Sequence, residues 1–307
     1  MKINTGINTI VHYGWLSDEQ RWDANRYDWP WLSELGDDDK KIILLLDCLS
    51  DGEFSGQASI TQFYNLIFKL RDNGFDKGLL SDWGEVLAYA NIITYEEFRH
   101  GVSLGKIFNY VKTGKDDFIS NLSIRTFSDK YIWCFEKRQY WSLYSYALAH
   151  LFAEIVNTEL YKDVRSVISH PDLKSVVSNI MRDEARHIKA WKDIIKNIIN
   201  ADERHKQLFL ESISEGLIYH NAMVHETFFE GQNKMLSLFL SGEDGKASAI
   251  ERICKSKYNV LNELFGEDNV YSVEDIKNIH SDFLIKSYGK KRAIYSNNVS
   301  NKIDFIG

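Results

Sequence analysis

Proline occurs only twice in the 307 residues, at Pro30 and Pro171, and this scarcity constrains the fold more than any other feature. A proline inside a helix removes a backbone donor and clashes with the preceding turn. The long interval between the two is therefore open to uninterrupted helices, and its apolar residues recur at steps of three and four, the period of an amphipathic helix. The pattern predicts four long helices, over residues 39–72, 81–111, 130–168 and 171–200. Ser81 is the expected N-cap of the second and Pro171 a favourable first-turn residue of the fourth. Gly52 and Gly56 weaken the middle of the first. Amphipathic segments follow at 202–240, 246–265 and 273–287, and the aromatic-rich stretch RWDANRYDWPWLSELG at 21–36 reads as an irregular arm packed on the bundle. The expectation is an all-α chain of one domain: an N-terminal arm over 1–38, a four-helix core over 39–200 and accessory helices over 201–307.

A hydrophobic content of 44% suits one large core. The net charge of -7 and a pI near 5.8 leave no basic excess for neutralising phosphates, which argues against a general nucleic-acid binder. Cys48, Cys134 and Cys254 lack any paired spacing, so neither a disulfide framework nor a thiolate zinc site is indicated. The apolar run IILLL at 42–46 is too short to span a bilayer, and the opening MKINTGINTIVHYGW has no continuous apolar segment of a signal peptide. A cytoplasmic protein with no membrane partner is expected.

Against this background one pattern is written twice. TYEEFRHG at 94–101 and MRDEARHIKA at 181–190 both carry acid, Glu, any residue, Arg, His. A chain of this composition should show acid, acid, any, base, His only about 0.02 times. Glu97 and His100 are three apart on the second predicted helix, and Glu184 and His187 are three apart on the fourth, so each pair shares one helix face. A carboxylate and an imidazole from each of two facing helices, supplemented by glutamates from the other two, make the dinuclear carboxylate site of a ferritin-like four-helix bundle. Oxygen-rich ligands with a few imidazoles suit two iron ions, or manganese, and leave positions open for O2.

On the third helix Glu154 lies in the apolar stretch LAHLFAEIVNTEL, where an unpartnered charge is costly to bury. Glu159 is the rival, but a reversal near His170 puts Glu154 and Glu184 at similar height, which favours Glu154. On the first helix the residue level with Glu97 is Gln57, a poor ligand. Glu53 lies one turn earlier on the same face, about 6 Å along the axis, and the glycines at 52 and 56 permit a bulge that brings it into range. Glu53 is the expected fourth carboxylate, with a three-glutamate site as the alternative. Arg99, Arg186 and Asp183 read as partners orienting ligands across the bundle. His150, His205, His220 and His225 read as packing or surface residues.

The motif EEFRHG at 96–101 resembles the EENRHG motif of soluble acyl-carrier-protein desaturases, and HPDLKSVVSNIMRDEARHIKA at 170–190 is similar to their second motif, a DP-L turn leading into DEKRH. The resemblance covers roughly residues 39–200 and implies Glu97, His100, Glu154, Glu184 and His187 as ligands. It departs on helix one, where the family has TEEALPTY and this chain has SDGEFSGQASITQFY. The related p-aminobenzoate N-oxygenase family carries a further histidine where this chain has Ile180. The resemblance implies a diiron oxidase or oxygenase that activates O2 for desaturation, hydroxylation or N-oxidation of a small-molecule or carrier-protein-bound substrate. An external donor, a ferredoxin or reductase, would supply electrons, since nothing in the chain marks a flavin or nicotinamide site. An acidic carrier helix would dock on Lys290, Lys291 and Arg292, and the expected assembly is a homodimer. The alternatives are a ferroxidase or iron-storage bundle and a radical-generating R2-like subunit.

Overall fold

The computed structural model describes residues 5–22, 29–54, 56–115, 142–222 and 243–279, and every regular element among them is helical. In chain order the helices are α1 (Thr5–Glu19), α2 (Asp37–Phe54), α3 (Gly56–Asp72), the short α4 (Lys77–Ser81), α5 (Gly84–Thr113), α6 (Leu143–Val167), α7 (Pro171–Ala201), α8 (Arg204–Ala222) and α9 (Glu243–Phe265), with a last helical segment at 273–279. A 3-10 turn, Trp29–Glu34, stands where the irregular arm was expected, and α1 precedes it.

Four helical rods form the core: α2 continued by α3, α5, α6 and α7. Their directions follow from cross-helix contacts. Asp39, near the start of α2, accepts backbone hydrogen bonds from Ser169 (2.8 Å) and His170 (3.1 Å) at the turn between α6 and α7. Phe63 on α3 meets Tyr146 near the start of α6 and Trp83 just before α5, at ring distances of 4.8 and 6.3 Å. The first rod therefore runs antiparallel to both α5 and α6. Contacts of Tyr89 with Trp191 and of His100 with Asp183 make α5 antiparallel to α7. Since α5 and α6 run the same way, residues 114–142 connect opposite ends of the bundle, the single long crossover of one four-helix topology. Helix α1 lies across α5 and α7, while α8 and α9 pack on α6. Enclosed by neighbours on several sides, α6 is buried at almost every position from Leu143 to Leu151.

Local chemistry sets the helix ends. Ser142 and Ser145 form a reciprocal capping box at the start of α6. Pro171 opens α7, and α5 ends on Gly114 in the left-handed region at φ 70°. The expectation that Ser81 caps the second long helix is corrected. Asp76 accepts from the Gly78 and Leu79 amides and starts the separate turn α4, which ends at Ser81, so α5 begins three residues later. The predicted first helix is divided into α2 and α3, next to the glycines flagged in the sequence. Residues 130–141, 223–240, 280–287, Cys134, His225, Lys290, Lys291 and Arg292 lie outside the described residues, as do the side chains of Cys48, Gln57 and His220. No helix among the described residues is long and apolar enough to cross a membrane.

Candidate metal centre

All six residues expected to bind metal meet at mid-height in the bundle, and all are buried. Glu53 comes from the last turn of α2, Glu97 and His100 from α5, Glu154 from α6, and Glu184 and His187 from α7. They form two overlapping groups, Glu53, Glu97, His100 and Glu184, and Glu97, Glu154, Glu184 and His187, with one ligand-type atom from each residue within 4.8 Å of the rest. Each group has its own terminal glutamate and histidine, and both share Glu97 and Glu184. The rival Glu159 points elsewhere and pairs with Lys162 (2.6 Å) and Arg252 (3.3 Å).

Inside this cluster Glu53 Oε2, Glu97 Oε1, His100 Nδ1, Glu154 Oε2 and Glu184 Oε1 are buried with no hydrogen-bond partner. Burying unsatisfied acceptors is costly, and here they converge from four helices. A pair of divalent cations answers that cost: four carboxylates against two positive charges on each ion balance, and carboxylate oxygens with two imidazoles suit iron or manganese. The residues present fit such a pair.

The electrostatics of the protein alone show how strained this set is. Burial, reinforced by the charges of Glu97 and Glu184, holds the Glu53 carboxyl well above its usual range, and burial with the same two charges does so for Glu154. Burial also pushes Glu97 up, but the neighbouring Glu53 carboxyl and the His100 and His187 imidazoles outweigh it and hold Glu97 well below the ordinary value. Glu184 is lowered against burial and the charge of Glu97 by the adjacent His100 and His187 imidazoles, His187 Nδ1 lying 3.2 Å from it, and by the neighbouring Glu154 carboxyl. For both imidazoles burial disfavours the cation, yet the surrounding acids raise them well above the ordinary histidine value, Asp183 and Glu184 foremost around His100.

The first acid of each repeated motif explains the rest of the pattern. Asp183, from the second motif, lies 3.1 Å from Nε2 of His100 in the first, and Glu96, from the first, lies 2.8 Å from Nε2 of His187 in the second. Each motif therefore holds the other's histidine. With Nε2–H donating to a carboxylate, the Nδ1 lone pair of each ring is turned to the cluster. There His100 Nδ1 sits 3.5 Å from Glu184, and His187 Nδ1 sits 3.1 Å from Glu97. Arg186 donates to Asp183 (3.0 Å) and to Glu96, and Arg99 lies 3.1 Å from Asp183 and 3.5 Å from Glu96. Two acids and two arginines make this outer ring neutral, so the inner carboxylates are left to the metal.

Arg99, Arg186 and Asp183 thus stand where the sequence reading put them, and four further residues join them. Glu96 occupies the same place in its motif as Asp183 and was legible on that ground. Ser17 of α1 donates to Glu96 (2.6 Å), and the Trp22 indole N–H donates to Asp183 (2.7 Å) while its ring stacks on His100 at 6.2 Å. Nothing local in the sequence marks either. Tyr161 donates to Glu53 (2.5 Å) from seven residues beyond Glu154 on the same face of α6. His150 stacks on Trp191, and His205 bridges the Tyr144 hydroxyl (2.9 Å) and Asp82 (3.0 Å), both as packing residues.

No family model and no curated protein matches the chain. Among solved structures, the R2-like ligand-binding oxidase from Sulfolobus acidocaldarius is similar, with a TM-score of 0.51 and 18% identity over 88% of this chain and 94% of that one. The fold is the ferritin-like bundle. At this identity the likeness is one of architecture, and the desaturase motifs remain a resemblance in sequence.

Proposed function

We propose that the protein is a dinuclear metal oxidase of the ferritin-like class, which binds two iron ions, or manganese, and activates O2 to oxidise a small-molecule or carrier-bound substrate. The observation that carries this reading is the pair of buried four-residue groups sharing Glu97 and Glu184, with unsatisfied acceptor atoms converging between them. The fold shared with an R2-like oxidase agrees with it. Glu53 and His100 would hold one ion, Glu154 and His187 the other, and Glu97 and Glu184 would join the two. Bound there, redox-active ions would supply electrons and open coordination positions for O2. The chain's own contribution is to fix both imidazoles through Asp183 and Glu96, to neutralise those acids with Arg99 and Arg186, and to keep water out by burial on all sides. Electrons for repeated turnover would come from a ferredoxin or reductase, and a homodimer in the cytoplasm is the proposed setting.

The test is anaerobic loading with Fe(II), removal of loose metal, and then exposure to O2. The reading expects about two iron atoms per chain and O2 uptake that depends on them. A protein that loads iron but takes up no O2 under reducing conditions would remove the oxidase assignment. Mineralisation of many ferric ions per chain would favour an iron store.

A further inference from the structure

None of the six residues of the centre is more than 9% exposed, so an ion can reach them only when some part of the wall opens. On one side that wall is a strap made of α1 and Trp22, laid across the groove between α5 and α7. Ser17 donates to Glu96 (2.6 Å), which lies 2.8 Å from His187, and the Trp22 indole donates to Asp183 (2.7 Å), which lies 3.1 Å from His100. Between them Gln20 accepts from Arg186 with its side chain and from Arg182 with its carbonyl, both at 3.0 Å. One short segment therefore covers the acids behind both imidazoles. With it lifted, the outer ring of Glu96, Asp183, Arg99 and Arg186 is all that separates them from water.

The strap is held mainly by polar contacts. Tyr13 donates to Asp193 of α7 (2.5 Å), Lys189 donates to the Tyr13 hydroxyl (3.1 Å), and Asn197 donates to Thr9 (2.8 Å). Among the described hydrophobic side chains of α1, Tyr13 alone is fully buried. Ile10 and Leu16 are half-buried, and Val11 and Trp15 are 64% and 57% exposed. The core helix α6, by contrast, is buried at almost every position from Leu143 to Leu151. Local opening costs least where few apolar contacts are lost, and water can replace the strap's hydrogen bonds as they break.

Building on the dinuclear reading, we propose that α1 with Trp22 is a metal-entry gate, which lifts off the α5–α7 groove as a unit, admits divalent cations past Glu96 and Asp183, and closes over the filled centre. Lifting frees the two acids from Ser17 and Trp22, so that their carboxylates meet the arriving cation in water. Closure restores the hydrogen bonds that fix each acid against its histidine. The same segment thus sets both uptake and retention.

The experiment follows Co(II) uptake by the metal-free, full-length protein under anaerobic conditions, by stopped-flow visible absorption, and counts the bound cobalt at the end. Thr9→Ala/Tyr13→Phe removes two holds on α7 that touch neither the centre nor its outer ring. It should load on the order of tenfold faster than wild type, the factor expected from losing a hydrogen bond to a charged group, and still reach about two ions per chain. Thr9→Cys/Asn197→Cys, oxidised to a disulfide, should load at a small fraction of the wild-type rate and recover when a phosphine reduces it. Glu263→Ala, which loosens α9 from Lys192 and Lys196 of α7, should leave the rate unchanged. If the loosened variant fails to fold, the locked and reduced forms of the cysteine pair decide; if the disulfide does not form, the loosened variant decides. Uptake that is indifferent to locking, unchanged by loosening, or accelerated as much by Glu263→Ala overturns the gate while leaving the two-ion reading intact. A folded wild type that binds no cobalt refutes the dinuclear reading itself and the gate with it.

Discussion

Asp183→Asn changes almost no volume and yet should disable one half of the centre. Asp183 is 0% exposed, and its two oxygens accept from four donors: His100 and Trp22, at 3.1 and 2.7 Å, and Arg99 and Arg186, at 3.1 and 3.0 Å. An asparagine offers one oxygen and one NH2. In either flip the NH2 faces donors, Arg186 on one side or His100, Trp22 and Arg99 on the other. With the NH2 toward His100, the imidazole must accept at Nε2, its proton moves to Nδ1, and the nitrogen meant for the metal is blocked. With the NH2 toward Arg186, a buried cation loses its partner. Removing one side of a buried charge network costs about 3–5 kcal/mol of folding stability. Loss of the group orienting a metal-bound histidine costs about tenfold to a hundredfold in metal affinity. Anaerobic titration with Co(II), followed by its visible absorption, reads the affinity, and urea denaturation reads the stability. An Asp183→Asn protein that binds two Co(II) as tightly as the wild type would refute the cross-motif account of His100.

Glu53→Ala and Glu154→Ala should each weaken one of two bound ions, while Glu159→Ala leaves both, because Glu159 is engaged with Lys162 and Arg252; metal analysis after desalting separates them, and equal losses in all three would contradict the site assignment. Lys257 is 1% exposed in the apolar stripe of α9, with its ammonium 5.5 Å from the Phe152 ring centroid, and burial lowers its pKa from 10.5 to about 7. Between those values the unfolded state binds more protons than the folded one, so this residue makes stability rise with pH from about 7 to 10.5 and adds no slope below. Lys257→Met should remove that rise and stabilise the protein at pH 7 and below by on the order of a few kcal/mol, and an unchanged pH profile in urea denaturation would contradict it.

The long helices were legible because their apolar periods are long and no proline interrupts them from residue 31 to 170. The motif histidines and glutamates were legible because three-residue spacing fixes a shared face whatever the tertiary context. Glu53 was reached by the same reasoning, since the glycines at 52 and 56 mark where the first rod is divided and its carboxylate stands at the end of α2. Helix α1 was missed, as Gly6 and Gly14 and its scattered polar residues lower local propensity, and it is held by packing across α5 and α7. Ser81 misled because the stronger cap, Asp76, lies five residues upstream. The role of Trp22 had no local signal at all. Its partner Asp183 is 161 residues away, and only the closed bundle brings them together.

Diffraction from crystals loaded with Mn(II) or Fe(II), recorded at the metal absorption edge, tests the central claim most directly. The account predicts two anomalous peaks in each chain, one beside Glu53 and His100, the other beside Glu154 and His187, with Glu97 and Glu184 between them. A well-folded chain with no peak there, with a single peak, or with metal bound elsewhere would contradict it.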